Sequence, residues 1–586
     1  MSPTPPHAVP SAARMPIPMI LAAVLLPALL LAGCAAGPQV EPADLVLRGG
    51  HVVTMDGAQP DAEAVAIRGH TIVAVGTNDD IDPYIGRATE VIELAGRLAI
   101  PGFIEGHGHF MGLGQARMNL DLMNVRNWDD VVRMVAAAAA DAKADSWIVG
   151  RGWHQEKWDR VPEPSVDGVP VHASLDSVSP RNPVYLTHAS GHAAFVNGRA
   201  LQLAGIDRDT PDPPGGEIVR DARGEPTGLL RETAQRLAGR VRDQTDAART
   251  DADRRADARR AAQLAAAEAL RHGVTSFHDA GSDFATIDFL RQLEAEGELP
   301  VRLYVMIRAP NEQLEQRLSD YLMPAEENDF LVVRSIKVSL DGALGPHGAW
   351  LLEPYEDMPT SRGLALTPPE SLRRTAELAI AHGFQLNVHA IGDRANRETL
   401  DIFEQAFRAN PDRSDLRWRV EHAQHLHPQD IARFAGLNVI AAMQGVHATS
   451  DGPWVPRRLG HRRAEEGAYV WRALLDSGAM IANGTDTPVE DISPIVSFHA
   501  SVTRRMADGT QFFPAQRMTR DEALRSYTVA NAFAAFEADV KGTIAPGRLA
   551  DIVVLSRDIM RVDEDEIPGT LVDYTIVGGD VKHRRE

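Results

Sequence analysis

The stretch Pro101-Gly-Phe-Ile-Glu-Gly-His107-Gly-His109 decides how this chain is read. It closes an apolar, strand-like run at 98–109 that ends in two histidines. Residues i and i+2 of a strand face the same way, so the imidazoles of His107 and His109 converge on one point. Barrel enzymes keep their chemistry at the C-terminal ends of their strands. The next question is therefore how many such strands follow, and what each one ends in.

Seven further apolar runs of strand length follow, at 274–280, 301–307, 333–340, 384–390, 416–423, 438–444 and 480–485. Helical stretches such as 261–271 and 369–382 lie between them. Eight strand–helix units predict an α/β fold, a (β/α)8 TIM barrel over 101–540. About 165 residues separate the first two runs, too many for a βα loop, so strand 1 is followed by a large insertion at about 111–270. The insertion carries Gly-Trp-His-Gln-Glu-Lys-Trp at 152–158, Thr187-His-Ala-Ser-Gly-His192, and a hairpin at 217–232 turning at Arg223-Gly224. Its Ala/Arg/Asp-rich end, 234–271, reads as one long solvated helix. Short alternating strands mark both chain ends, at 44–54, 64–68, 71–76, 542–555 and 574–581. They predict a small β-sandwich built from 44–100 and 541–586.

The other strand ends carry Lys337, then Asn387 and His389, then Glu421 and His422, then Asp486. Taken singly each is weak. An isolated His-x-His pair is more often surface or core than ligand, Lys337 reads equally as an ion-paired lysine, and His422 as a core histidine. Four histidines, a lysine and an aspartate at successive strand ends form a set that chance rarely gives. Imidazoles and a carboxylate without thiolate suit zinc or a similar divalent ion.

With these residues in view, the chain resembles the metal-dependent hydrolases of the amidohydrolase superfamily, in the branch similar to N-substituted formamide deformylases. The resemblance rests on 101–110, Lys337-Val-Ser-Leu-Asp-Gly-Ala-Leu-Gly345, Asn387-Val-His-Ala-Ile-Gly-Asp393, Val420-Glu-His-Ala-Gln424, Gly484-Thr-Asp-Thr-Pro-Val489 and 542–554. It runs from about residue 44 to the end. It implies that His107 and His109 bind one metal ion and His389 and His422 a second, that N-carboxylated Lys337 bridges two zinc ions, and that Asp486 completes the site as ligand and as acid–base. The alternative for Lys337 is an uncarbamylated side chain beside a single metal. Asp341 and His192, the latter in a family-like motif of the insertion, Gly191-His-Ala-Ala-Phe-Val-Asn197, are candidate substrate contacts, although His192 reads equally as structural packing and Asp341, Asp393 and Asn387 also read as residues that orient ligands. Trp153 and Trp158 read as hydrophobic core, with a pocket wall as the alternative.

The function expected is hydrolysis of a non-peptide carbon–nitrogen bond in a small-molecule amide. Esterase or lactonase chemistry on the same site stays open. A single-metal deaminase needs a Glu three residues after a strand-end His, and Ala390-Ile-Gly392 follows His389 instead.

Composition and the N-terminus set the setting. The chain has 586 residues, 44% hydrophobic and 24% charged, as a globular enzyme would. Asp plus Glu outnumber Lys plus Arg by 81 to 60, for a formal charge of -21, which excludes a surface built for nucleic acid. The first 33 residues hold no acid and one basic residue, Arg14, and an apolar run at 15–31 leads into Leu31-Ala-Gly-Cys34. That pattern resembles a bacterial lipobox. Residues 1–33 are then a lipoprotein signal peptide, Cys34 the lipidated residue and 34–43 a tether. Ala35 lacks the acid that retains lipoproteins at the inner membrane, so the expected location is the cell envelope, lipid-anchored in the outer membrane and facing the periplasm. A non-catalytic substrate-binding lipoprotein is the rival from another class; it predicts a cleft without converging ligands.

Overall fold

Eight parallel strands form the centre of the fold: β1 (Phe103–Gly108), β2 (Val274–Ser282), β3 (Arg302–Ile307), β4 (Leu331–Ser339), β5 (Gln385–Ala390), β6 (Arg419–His422), β7 (Ile440–Gln444) and β8 (Ile481–Gly484). The computed structural model describes residues 40–586 other than 124, 156–157, 167, 189–192, 215, 326–328 and 346. Each barrel strand pairs in parallel with its neighbour in sequence order. The first and last strands meet at their C-terminal ends. There the Asp486 N–H donates to the His107 carbonyl at 2.7 Å, and the His109 N–H to that of Thr487 at 2.8 Å. This is the α/β TIM barrel that the spacing of the apolar runs predicts.

The first run differs from the single strand expected at 98–109. Leu98–Pro101 belongs to another sheet, where it pairs antiparallel with Ile552–Leu555. The chain changes sheets at Gly102, which presses against Thr275: a Cβ there would lie 2.1 Å from the Thr275 Oγ1. No other residue fits that crossing.

Two smaller sheets draw on both chain ends. One joins Leu45–Arg48, Ala64–Arg68, Thr71–Gly76 and Glu90–Glu93. The other joins His51–Val53, Asp61–Ala62 and Leu98–Pro101 to Ile552–Leu555, Val572–Val577 and Asp580–Arg584. Leu47, Val52, Ile67, Leu94, Ile552 and Ile576 form one apolar core between them. Alternation decides which side chains enter it, since every second residue of each strand faces inward.

After β1 comes α1 (Phe110–Met118), and the chain then enters a mixed six-stranded sheet. The hairpin expected in the insertion is Gly216–Arg220 against Pro226–Glu232, with Gly224 at φ +83° in its turn. The expected single helix at 234–271 is two, Gln235–Ala247 and α2 (Asp251–Arg271). They separate at Thr250, whose side chain accepts from the Asp253 N–H at 3.1 Å. Such an N-cap contributes about 1 kcal/mol. Nor is α2 solvated along its length, because Ala262, Ala265, Ala266, Ala269 and Leu270 lie in the main core. Alanine-rich sequence with charges at one end hides a close-packed face at the other.

The leader, Cys34 and His192 lie outside the described residues. Among the described residues no helix is long and apolar enough to cross a membrane.

Candidate metal centre

The centre forms where β1, β4, β5, β6 and β8 end. His107 is fully buried and His109 half-buried at the mouth. Ligand atoms of His107, His109 and Asp486 all lie within 4.8 Å of one another. Asp486 Oδ1 is 3.2 Å from His109 Nε2 and 3.6 Å from His107 Nε2. Lys337 Nζ approaches His107 Nε2 to 3.4 Å from β4. The His422 ring lies 4.7 Å from that of His107 and 4.4 Å from that of His389, between centroids. All six strand-end side chains singled out in the sequence thus lie at the same end of the barrel, the ligand atoms of His107, His109 and Asp486 within 4.8 Å of one another and Lys337, His389 and His422 beside them.

Backbone geometry explains how two of them get there. On β6 the alternation that turns Arg419 and Glu421 into the barrel would turn His422 outward. Instead His422 has φ +75° and Ala423 φ +43°, which swings the imidazole back over the mouth. Asp486 likewise sits at φ +59°. Left-handed backbone at non-glycine residues costs about 1–3 kcal/mol each and persists where the surroundings impose it.

Neighbouring residues fix which ring nitrogen faces the centre. The Glu421 carboxylate takes the Nδ1–H of His107 and is held by Arg419, whose Nε lies 2.8 Å from its Oε1. Arg419 also donates to the Gly106 carbonyl at 2.6 Å. The His422 Nδ1 donates to Gln444 Oε1 at 2.7 Å, and Gln444 Nε2 donates to the Ala442 carbonyl, which fixes the amide's orientation. In both histidines Nε2 is left free to bind. Burial, with the nearby positive groups adding to it, holds His107, His389 and His422 well below the ordinary imidazole pKa. The rings are therefore neutral, the state that binds a cation. Burial also lowers the Lys337 amine to about 8, although Glu421 and Asp486 pull the other way. Burial raises the Asp486 carboxyl, but the hydrogen bond from His109, with the other histidines close by, outweighs it and holds the carboxyl below its ordinary value.

These residues fit a divalent cation. His389 Nε2 is buried and makes no hydrogen bond within the described residues. Buried polar atoms are rarely left so unless something else satisfies them. Neutral imidazoles, a carboxylate and an amine of depressed pKa are the donors that hard-to-borderline divalent ions take.

The remaining expected residues fall elsewhere. Both Asp341 oxygens are taken by main-chain N–H groups of Trp350, Ile391 and Gly392 at 2.8–2.9 Å, beside His389. Asp393 accepts from the Leu352 N–H at 2.8 Å. Trp153 is buried in the insertion's core, and its indole donates to the Leu186 carbonyl. Sequence reasoning passed over Glu421 as a functional residue, as well as Gln444 and His447. His447 stacks 6.3 Å from His422, and its Nε2 is buried without a hydrogen-bond partner among the described residues. Glu421 had one available signal, its place beside a strand-end histidine. Gln444 ends β7 and His447 follows it, on a strand that ends in no ligand and so drew no notice.

Fold and site together define a metal-dependent hydrolase barrel. Residues 90–583 match the Amidohydrolase family, and the chain belongs to that family. It is 34% identical to Protein LONG AFTER FAR-RED 3 of Arabidopsis thaliana, over 92% of this chain and 91% of that one. It is 28% identical to N-substituted formamide deformylase of Arthrobacter pascens, over 92% and 98%. Among solved structures, an uncharacterized metal-dependent hydrolase from Pyrococcus furiosus is similar at TM-score 0.68 and 26% identity, covering 88% of this chain and all of that one.

Proposed function

We propose that the chain hydrolyses a non-peptide carbon–nitrogen bond of a small-molecule amide, an N-formyl or N-acyl amine, with two zinc ions bridged by N-carboxylated Lys337. The observation that carries this reading is the clustering of His107, His109, Lys337, His389, His422 and Asp486 at the barrel mouth. The similarity to N-substituted formamide deformylase supports the choice of N-formyl amines.

His107 and His109 would hold one ion and His389 and His422 the other, with Asp486 completing the set. Bound divalent ions supply Lewis acidity, polarising a carbonyl and bringing a water molecule's pKa toward neutrality. The chain's own groups do the rest. The Lys337 amine, neutral far more often than an exposed lysine, attacks carbon dioxide and loses a proton, giving a carbamate with two oxygens and one negative charge. Asp486, ionised and directed at the centre, takes the proton of the attacking water. As the C–N bond breaks and its electron pair leaves with nitrogen, Asp486 returns that proton to the nitrogen. Glu421 and Gln444 keep His107 and His422 in the tautomers that this requires.

The test is a substrate screen. Protein reconstituted with zinc and bicarbonate is assayed against N-formyl and N-acyl amines, with esters and lactones as controls. Release of amine is expected. Turnover of esters or lactones alone would make the protein an esterase or lactonase, and retention of amides without cleavage would favour a substrate-binding lipoprotein.

The proposal extends to location. Lipid on Cys34 would anchor the enzyme in the cell envelope, in the outer membrane facing the periplasm. Labelled fatty acid should enter the wild type and not Cys34→Ala, and a Cys34→Ala protein that still carried lipid would contradict the anchor.

A further inference from the structure

Arg308 directly follows β3 and stands at the same end of the barrel as the metal centre. Its main-chain N–H donates to the Ser282 carbonyl at 2.9 Å, fixing it against the end of β2. Its side-chain stem runs past Gly281, φ +133°, where a Cβ would meet Arg308 Cδ at 3.1 Å and Lys337 Cγ at 3.6 Å. A glycine there leaves room for the arginine stem to lie alongside Lys337. The guanidinium Nη2 donates to Ser339 Oγ at 3.1 Å. Ser339 is two residues beyond Lys337 on β4, so it faces the same side about 7 Å further toward the mouth. The guanidinium is thus placed one substrate group's length above the centre. Its positive field reaches Lys337 and His389.

Among the described residues the charge meets no carboxylate. Two other arginines of the barrel strands meet carboxylates: Arg302 lies 2.8 Å from Asp551, and Arg419 2.8 Å from Glu421. Arg308 is exposed, and among the described residues no Asp or Glu pairs with it, in a chain whose acids outnumber its bases by 81 to 60. A guanidinium with one short bond to a hydroxyl keeps two edges open, and carboxylate is the ligand whose geometry matches that fork.

We propose that Arg308 binds an anionic group of the substrate, so that the preferred substrate is an N-acylated compound bearing a carboxylate, such as an N-acyl amino acid. This rests on the hydrolase reading above. The centre would hold the scissile carbonyl, and Arg308 would fix the far end of the molecule.

A matched pair tests it: N-formyl-phenylalanine and N-formyl-phenethylamine differ only by the carboxylate. The zinc-loaded wild type is expected to favour the acid in kcat/KM by about tenfold or more. Arg308→Met should collapse that ratio, chiefly through KM of the acid, and Arg308→Lys should restore part of it. If Arg308 served only to tune Lys337 electrostatically, both substrates would change together and the ratio would stay put, which would overturn the proposal. Equilibrium binding of 3-phenylpropionate to wild type and Arg308→Met, each zinc-loaded, reads the site without turnover. Weaker binding in the variant supports the anion site even if neither formamide is cleaved, in which case only the hydrolase reading fails. Equal binding in both proteins overturns the anion site whatever the hydrolysis result.

Discussion

Glu421 on the sixth barrel strand holds the Nδ1 of His107 on the first, and so turns the opposite nitrogen of that ring toward Lys337 and Asp486. Both side chains are fully buried, and Arg419 balances the carboxylate's charge from two residues away. Outer groups of this kind are worth 10- to 100-fold in metal affinity. Glu421→Gln preserves the shape and loses the charge. It should weaken zinc binding by about that factor in a chelator competition, with the fold retained. Affinity equal to wild type would mean that the carboxylate only balances Arg419.

Lys337 gives a pH dependence with a definite sign. Its pKa falls from 10.5 to about 8 on burial, so about a tenth of the amine is neutral at pH 7, against well under a thousandth for an exposed lysine. Only the neutral amine reacts with carbon dioxide. At constant dissolved carbon dioxide, carboxylation of metal-free protein should speed up about tenfold per pH unit below about 8 and level off above it. Carbon-13 NMR of the carbamate, with Lys337→Ala as the blank, follows the rate. A rate still climbing tenfold per unit at pH 9 would place the amine in its ordinary range.

Asp486→Asn tests the proton carrier. Asparagine tolerates the left-handed backbone at this position, so the chain should fold as before. Loss of a general acid–base group typically costs about 10²- to 10⁴-fold, and kcat should fall in that range on an N-formyl amine. A variant within threefold of wild type would assign proton transfer to another group.

Asn197 closes the insertion's family-like motif and acts through structure. Its Oδ1 accepts from the Val184 and Ala200 N–H groups at 3.0 Å, and its Nδ2 donates to the carbonyls of Ser179 and Asn182. Asn197→Ala removes a helix cap and strands a buried N–H, at about 2 kcal/mol or more. Denaturant unfolding should show the loss while zinc content stays at the wild-type value. An unchanged midpoint would refute this role.

The barrel was legible because eight apolar runs with intervening helices leave few other folds, and His107, His109 and Lys337 because ordinary alternation points them inward. His422 is a different case. By alternation it faces outward, and only its left-handed backbone, which sequence does not announce, turns it in. Its place at a strand end singled it out where alternation would have turned it away. The break at Gly102 went unread because it depends on a tertiary neighbour, Thr275; the split of 234–271 had a local signal, the Thr250 cap on the Asp253 N–H, which the charged run around it masked. Arg308 was invisible because its interest lies in its tertiary setting, beside Lys337 and Ser339 and with no carboxylate partner among the described residues.

The most direct measurement is the zinc content of purified wild-type protein after reconstitution with zinc and bicarbonate, beside Lys337→Ala. Two tightly held zinc ions per chain are expected in the wild type, with the bridge and at least one ion lost from the variant. A wild type that retains no divalent metal, or a Lys337→Ala protein that keeps two ions and full activity, would contradict the account.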